Sequence, residues 1–210
     1  MKIEVLDSRR KRVFDLLKNF ERIDEFELGG GTALALQIGH RVSVDFDFFS
    51  KETLSESFRN NVIKRFSENT IEIKQSTKDE LTFLIDGVKI TFLYYPFPRI
   101  LPCVDLEGVK VLDILEIAAT KAYTIGKRSE YKDYIDLYFV LNRKDISLED
   151  IINLCKKKYL KKFNSRLFLE QLVFMEDVEE SEIKFMNSFV SKKQLAAFFE
   201  DLVSKFKISS

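Results

Sequence analysis

The sequence predicts an α+β protein: residues 1–108 form a small mixed β-sheet with flanking helices, and residues 109–210 form a helical region. Period-two alternation of apolar and polar residues is confined to the first half. An Asp86-Gly87 pair, a strong two-residue hairpin signal, separates two of these alternating segments. The second half instead has apolar residues at helical spacing. Strands followed by a run of helices are typical of α+β proteins.

Composition narrows the class of protein. With 210 residues and 20 Phe, the chain can bury a substantial core. Its 34 basic and 34 acidic residues balance, so a nucleic-acid partner would require a local basic patch. The two Cys have neither CxxC spacing nor a neighbouring His, which argues against a zinc site. No apolar run approaches the about 20 residues of a membrane span, so we expect a cytoplasmic protein with no membrane partner.

Each element is predicted from periodicity and from its end signals. Thr32 is the predicted N-cap of a short helix that Gly39 ends. Ser147 with Asp150 forms a capping signature for a later helix. The rest of the second half is predicted to be helical as well. The predicted strands are 26–28, 41–49, 70–76, 80–85 and 88–95, and the predicted helices are 7–22, 32–38, 57–66, 111–127, 130–142, 148–159 and 192–206.

The first candidate site is a pair of acids, Asp45 and Asp47, on the polar face of the 41–49 strand. Residues two apart on a strand point to one side, so two carboxylates here repel each other unless a cation lies between them. Mg²⁺ takes one or two carboxylates and completes its shell with water and phosphate oxygens. Arg41 and Ser43 share the predicted face and could contact phosphate. The alternative is a polar strand face that simply meets water.

A glycine run, Gly29-Gly30-Gly31, lies just upstream between a strand and a helix. Backbone N–H groups can converge on an anion there because no side chain blocks the approach. The start of the helix at Thr32 adds a partial positive charge. The P-loop and dinucleotide-binding fingerprints both fail in this segment. The alternative is a tight turn without a ligand.

Two groups in the second half could belong to the same site. Lys121 shares a helix face with apolar residues, so it should point into the protein or a cleft. Arg128 falls on the same side, and a cation here could offset triphosphate charge. Asp133 and Asp136 share a face of the next helix, where an ordinary surface ion-pair network with Lys132 is the alternative.

These motifs resemble a known family. Residues 29–49, GGGTALALQIGHRVSVDFDFF, resemble the signature of the DNA polymerase beta-type nucleotidyltransferase superfamily, and the full string is closer to the AbiEii/AbiGii toxin family. The segment Gly87–Ile90 and the pattern Lys121…Arg128…Lys132-Asp133-x-x-Asp136 match the same family, and the resemblance covers nearly the whole chain.

The resemblance implies a nucleotidyltransferase-type core, with the helical region closing the nucleotide cleft. It implies transfer of a nucleoside monophosphate from an NTP to an acceptor, with the 3′ end of tRNA favoured, by the toxin of a toxin–antitoxin pair. The expected cofactor is Mg²⁺, with Mn²⁺ as the alternative ion, and the expected partners are an RNA acceptor and an antitoxin protein. In the expected site, Asp45 and Asp47 are both metal ligands and catalytic residues. Lys121 and Asp133 are two further catalytic residues. The expected nucleotide contacts are Gly30, Gly31, Thr32, Arg41, Ser43 and Arg128.

One position departs from the superfamily pattern. Many polymerase-type transferases carry a third carboxylate on a neighbouring strand, and the corresponding strand here has Thr91 at that position. Three interpretations stay open: Asp133 substitutes, only one metal is well held, or the chain is a degenerate module that binds a nucleotide or partner without catalysis. A protein acceptor in place of RNA is a further alternative.

Overall fold

The computed structural model describes residues 2–125, 127–128 and 130–206. It divides after Asp113 into two compact units, the first ending at Asp113 and the second beginning at Ile114. The first unit contains a mixed sheet and the second is built from helices, so the predicted α+β class is confirmed.

A seven-stranded mixed sheet forms the first unit, in the order β3-β4-β5-β2-β1-β7-β6. The central strand β2 is antiparallel to β1 and parallel to β5. The strands are β1 Glu27–Gly29, β2 Phe46–Ser50, β3 Ile71–Ser76, β4 Glu80–Ile85, β5 Val88–Tyr94, β6 Val104–Leu106 and β7 Val109–Val111.

Five of these strands correspond to predicted ones, and the hairpin at Asp86-Gly87 is confirmed between β4 and β5. Strands β6 and β7 were missed, because each has only three residues. Their turn, Glu107-Gly108, repeats the same arrangement, with positive φ at both turn residues. Residues 109–111, predicted to belong to the helical half, therefore complete the sheet.

One face of the sheet carries an aromatic core. Phe48 of β2 and Phe92 of β5 stack with their ring centroids 5.3 Å apart. The Phe92 ring also meets Phe26 at 4.7 Å and Phe58 at 5.2 Å. Burial of several large rings on this face fixes the register of β2, since a shift of one residue would expose them. The opposite face is thereby left to Asp47 and Thr91, which are directly paired across β2 and β5.

Three helices complete the first unit: α1 Ser8–Lys18, α2 Gly30–Ile38 and α3 Glu56–Arg65. Helix α1 is shorter than the predicted 7–22 because Asp7 caps its start and the chain turns at Asn19. Helix α2 ends at Gly39, whose φ of 65° gives the left-handed cap predicted for it.

The second unit contains α4 Ile114–Ile125, α5 Tyr131–Leu141, α6 Leu148–Tyr159, α7 Ser165–Val173 and α8 Lys192–Ser204. The predicted Ser147–Asp150 capping box is confirmed at the start of α6. Residues 174–190 are not helical, so the expectation of a fully helical second half was wrong. Five acidic residues at 176–182 place like charges at helical spacing there, which destabilises a helix.

Across the described residues, no helix combines the length and apolar character that crossing a membrane requires.

Candidate active site

The glycine run is the first turn of helix α2. Gly29 is the N-cap, Gly30 and Gly31 are the first two helical residues, and Thr32 is the third. The prediction of Thr32 as the N-cap was therefore wrong, because the helix begins two residues earlier. The N–H groups of a first helical turn have no partner inside the helix and point outward along its axis. The helix start is thus the anion-binding element that the glycines were expected to provide.

The glycines let two charged side chains approach this helix start closely. Gly30 has a φ of 66°, and a Cβ atom on it would lie 2.5 Å from Asp47 Oδ2. A Cβ atom on Gly31 would collide with Arg41 Nη2 and lie 3.2 Å from Ser43 Oγ. A carboxylate and a guanidinium therefore occupy the space that side chains at these positions would fill.

The segment before β2 differs from the prediction. The ladder begins only at Phe46, and Val44, expected on the buried face, is 45% exposed. Arg41 and Ser43 are buried instead. The reason is that side chains bond this segment: Arg41 Nη1 donates to the Val42 carbonyl and Arg10 Nε to the Val44 carbonyl. These bonds replace a strand ladder over 42–45.

Thr32 joins α2 to that segment. Its buried hydroxyl lies 2.9 Å from Ser43 Oγ and also bonds the Asp45 carbonyl oxygen. The Thr32 side chain therefore fixes the backbone of Asp45 through its carbonyl oxygen. The predicted phosphate contact of Thr32 can still come from its backbone N–H, which belongs to the first helical turn.

Asp45 and Asp47 lie on one face at the centre of the sheet. Lys89 Nζ of β5 is 3.7 Å from Asp45 Oδ2, and Asp47 is paired with Thr91, two residues after Lys89. Residues two apart on β5 share a face, so the two acids do as well. The Asp45 side chain is 35% exposed and Asp47 is also only partly buried. The sequence reasoning missed Lys89, although its spacing from Thr91 places it on this face.

This pair fits a magnesium ion by three criteria. Asp45 and Asp47 supply the two hard oxygen ligands that Mg²⁺ commonly takes from a protein. Both are accessible, so the remaining positions are open to water and phosphate oxygens. Asp47 also touches the start of α2 at Gly30, so one carboxylate adjoins both the metal position and the anion position.

No third carboxylate joins the pair within the described ranges, where no three His, Cys, Asp or Glu side chains cluster. Thr91 stands opposite Asp47, as predicted. The Thr82 hydroxyl lies 3.3 Å from Thr91 Oγ1 and donates to Glu80 Oε1 at 2.6 Å. A row of hydroxyl groups therefore extends from Asp47 where an acid was expected.

In the second unit, Lys121 lies in a buried cluster with Asp133 and Asp136. Its Nζ donates to Asp133 Oδ1 at 2.5 Å and lies 2.9 Å from Asp136 Oδ2. Both acids are fully buried, so the alternative of a surface network with Lys132 was wrong. Nor does Lys121 extend to water, because its side chain is only 10% exposed.

Two carboxyl groups face one ammonium group in this cluster. Asp133 Oδ2 accepts no hydrogen bond from the described residues. Arg128 Nη2 approaches it at 3.9 Å, but that guanidinium mainly pairs with Glu130 at 2.8 Å. A buried carboxylate oxygen without a donor is costly, and such atoms commonly mark a position for water or a ligand.

A mixed sheet with an acid pair beside a glycine-started helix defines the nucleotidyltransferase class. The family model described as the nucleotidyl transferase AbiEii toxin of a type IV toxin–antitoxin system matches residues 13–208. The chain belongs to this family and is a nucleotidyltransferase.

The chain is also similar to individual proteins. An uncharacterized protein of Aquifex aeolicus is 32% identical over 206 residues, covering 96% of this chain and 97% of its own. Among solved structures, MenT4, a nucleotidyltransferase toxin of Mycobacterium tuberculosis, gives a TM-score of 0.60 at 14% identity, covering 93% of this chain and 83% of its own. JHP933 of Helicobacter pylori gives 0.58 at 18% identity, covering 95% and 92%. These two structures share the fold.

Proposed function

We propose that this protein transfers a nucleoside monophosphate from an NTP to the 3′ end of an RNA, with tRNA the favoured acceptor, in a Mg²⁺-dependent reaction. The observation that carries the proposal is the contact between Asp47 and the start of α2 at Gly30. A metal bound by Asp45 and Asp47 and a phosphate bound by the helix start would then be neighbours. This is the arrangement that a metal-bound triphosphate requires.

Different residues of the first unit are proposed to bind the metal ion and the phosphates. Asp45 and Asp47 would hold Mg²⁺, and the N–H groups of Gly30, Gly31 and Thr32 would donate to phosphate oxygens. When bound, Mg²⁺ would neutralise phosphate charge in the transition state. The acceptor hydroxyl then attacks the α-phosphorus, the bond to the β-phosphate oxygen breaks, and pyrophosphate leaves with a proton released. Arg41 and Ser43 are proposed to orient the phosphates from the buried side of the helix start.

The second unit is proposed to supply Lys121 and Asp133 as catalytic residues and Arg128 as a nucleotide contact. The unbonded Asp133 Oδ2 supports this, since a carboxylate oxygen without a donor suits a cation or a hydroxyl proton. Lys121 would then orient Asp133 and offset its charge. The Arg128 side chain is 56% exposed, so its guanidinium could contact phosphate from its position beside Glu130.

A degenerate binding module is the second candidate function. Thr91 in place of a carboxylate favours it, as does Lys89, whose ammonium group competes with a cation for Asp45. Such a module would bind Mg-NTP or an antitoxin without turnover. The partly exposed acid pair favours the enzyme, because two neighbouring carboxylates beside a helix start suit the metal-bound triphosphate that the reaction uses.

The test is label transfer from each of four NTPs to total RNA with Mg²⁺. We compare the parent with Asp45→Asn and Asp47→Asn, and use Asp24→Asn as an exposed-acid control on the same unit. We expect transfer to RNA by the parent and the control, and a loss of at least about 100-fold in both site variants. Mg-NTP binding without transfer would favour the module. Label on protein would show that the acceptor is a protein and not RNA.

Expression in cells tests the toxin role separately. Because NTPs and tRNA are present together in the cytoplasm, we place the reaction there. The parent should halt growth when expressed alone, and the Asp45→Asn/Asp47→Asn double variant should not. Growth arrest by the double variant would contradict the proposed toxin mechanism, whereas relief by a co-expressed neighbouring gene product would identify the antitoxin.

A further inference from the structure

Positive charge in the second unit is concentrated in one segment. Residues 156–166, KKKYLKKFNSR, contain six basic residues and no acidic one, although the whole chain is neutral. We call these residues the basic segment. It covers the end of α6, a 3-10 turn at Leu160–Lys162 and the start of α7.

The three consecutive lysines of α6 face in different directions. Lys158 is buried and pairs with the buried Glu116 of α4. Lys156 and Lys157 are exposed and have no ion-pair partner among the described residues. Lys158 thus anchors α6 to α4, while its neighbours present their charge to solvent.

The outward charge continues past the helix end. Lys161 is exposed and likewise lacks an ion-pair partner in the described part of the chain. Arg166 pairs with Glu170, one turn along α7, at 2.8 Å, and its side chain stays highly exposed. Leu160 lies between the lysines, 71% exposed, with a φ of 51° and ψ of −131°. That backbone conformation is unfavourable for leucine, so the turn holds strain at the centre of the charged surface.

Complementing the helix dipole does not account for all of this charge. Lysines in the last turn of α6 are favourable because the C-terminus of a helix is partially negative. This effect fades within one turn, and Lys161 lies beyond the last α-helical residue, Tyr159. Lys156, Lys157 and Lys161 lie within six residues of one another and repel, so an anionic partner would stabilise them.

The basic cluster of α1, residues 9–12, differs from the basic segment in how its charges are paired. Arg10 pairs with Asp7 and donates to the Val44 carbonyl, and Arg12 pairs with Asp86. This cluster therefore contributes to the fold of its own unit. The basic segment contains more cations and fewer acids to hold them.

We propose that the basic segment binds the phosphate backbone of the RNA acceptor. The inference rests on the proposed function only in taking RNA as the acceptor. Exposed lysines in a segment that contains no acidic residue suit backbone phosphates, which need charge but no base-specific contact. A membrane surface fits less well, because the apolar side of α6 is buried and the exposed leucines at the basic segment are two, Leu160 and Leu167, among the described residues. A protein partner would require a larger apolar centre than these two side chains provide.

The experiment compares two triple variants of the full chain. The test variant is Lys156→Ala/Lys157→Ala/Lys161→Ala. The control is Lys144→Ala/Lys184→Ala/Lys193→Ala, which removes the same charge from three exposed lysines of the same unit that also lack ion-pair partners among the described residues. Binding of labelled tRNA is measured by fluorescence anisotropy, without NTP, over a range of salt concentrations.

We expect the test variant to raise the Kd about tenfold or more and to reduce the slope of log K against log salt by about 2 to 3. The control variant should change both by much less. Equal effects of the two variants, or no effect of either, would overturn the inference. So would charge-dependent binding to phosphatidylserine vesicles without binding to tRNA.

The outcome is separable from the proposed reaction. Asp47→Asn should abolish transfer yet bind tRNA with the parent's Kd. If the basic segment binds tRNA but no nucleoside monophosphate is transferred to RNA, the proposed reaction fails and this inference stands. If RNA is labelled equally well by the parent and the test variant at subsaturating tRNA, the inference fails and the reaction stands.

Discussion

The two units each contain a pair of aspartates near a lysine, in opposite physical settings. On the sheet, Asp45 and Asp47 are partly exposed, and Lys89 stands 3.7 Å from one of them. In the helical unit, Asp133 and Asp136 are fully buried, and Lys121 contacts both. The same residue types therefore form one partly exposed pair and one buried cluster in which a single lysine contacts both acids.

The difference shows that exposure decides what a carboxylate pair can do. A partly exposed pair keeps its hydration and can exchange water for a metal ion with little change in the fold. A buried pair must be compensated from within, so removing its lysine disrupts the fold. We therefore expect substitutions on the sheet to affect activity first and substitutions in the cluster to affect stability first.

The largest stability effect should come from Lys121→Met, which keeps the side-chain length and removes the charge. Two buried carboxylates would be left without their cation, and we expect a loss of about 3–5 kcal/mol in the free energy of unfolding. Urea unfolding followed by circular dichroism measures this.

Lys89→Met is the matched control, because Lys89 is 46% exposed and pairs with one acid, Asp45, in the part of the chain that the structure describes. We expect a change below about 1 kcal/mol from it. Similar losses from the two variants would show that burial does not distinguish the two lysines, and the comparison would be wrong.

Much of the sheet site was predictable because its signals are local. All of them lie within 21 residues of sequence: the glycine run, the Asp45 and Asp47 pair, and the aromatic residues of β2. Their relative positions could therefore be predicted from their spacing. The 41–45 segment was not predictable from alternation, since tertiary bonds from Arg10 and Thr32 replaced the strand ladder. Lys89 was missed for a related reason: its position depends on how β5 pairs with β2.

In the helical unit, periodicity predicted the helices but not the partners of their charged residues. The apolar neighbours of Lys121 showed that it points inward, yet they gave no sign that Asp133 and Asp136 would both bind it. The choice between a surface network and a buried cluster depends on packing between α4 and α5, which a single helix pattern does not encode. Strands β6 and β7 were missed because three residues give too little alternation to detect.

Gly30→Ala should give the next largest effect and tests the contact between the acid pair and the helix start. A Cβ atom would add backbone strain at a φ of 66° and push against Asp47 Oδ2. Gly108→Ala is the control, because its φ is 88° and no atom lies within 4 Å of the added Cβ. We expect Gly108→Ala to cost about 1 kcal/mol and Gly30→Ala about 1–3 kcal/mol.

Calorimetric titration with Mg-NTP separates strain from function in these two variants. Gly108→Ala should bind as the parent does, and Gly30→Ala should bind at least about tenfold more weakly, because Asp47 must move. Unchanged binding by Gly30→Ala would contradict the proposal that Asp47 and the start of α2 at Gly30 belong to one nucleotide site.

The smallest expected effect on stability concerns Asp150, an exposed carboxylate that accepts hydrogen bonds from uncharged groups. Hydrogen bonds from the Ser147 side chain and backbone lower the pKa of Asp150 below its ordinary value. A depressed pKa in the folded state stabilises above the ordinary pKa, and that stabilisation is lost as pH falls through the folded-state pKa. Asp150→Asn should therefore lower the free energy of unfolding by about 0.5 kcal/mol at pH 7, and the difference should vanish in acid. Ser147→Ala should remove the same pH-dependent part, measured by urea unfolding between pH 7 and pH 3. A constant difference over that range would mean that the charge on Asp150 adds nothing to the stability of the cap.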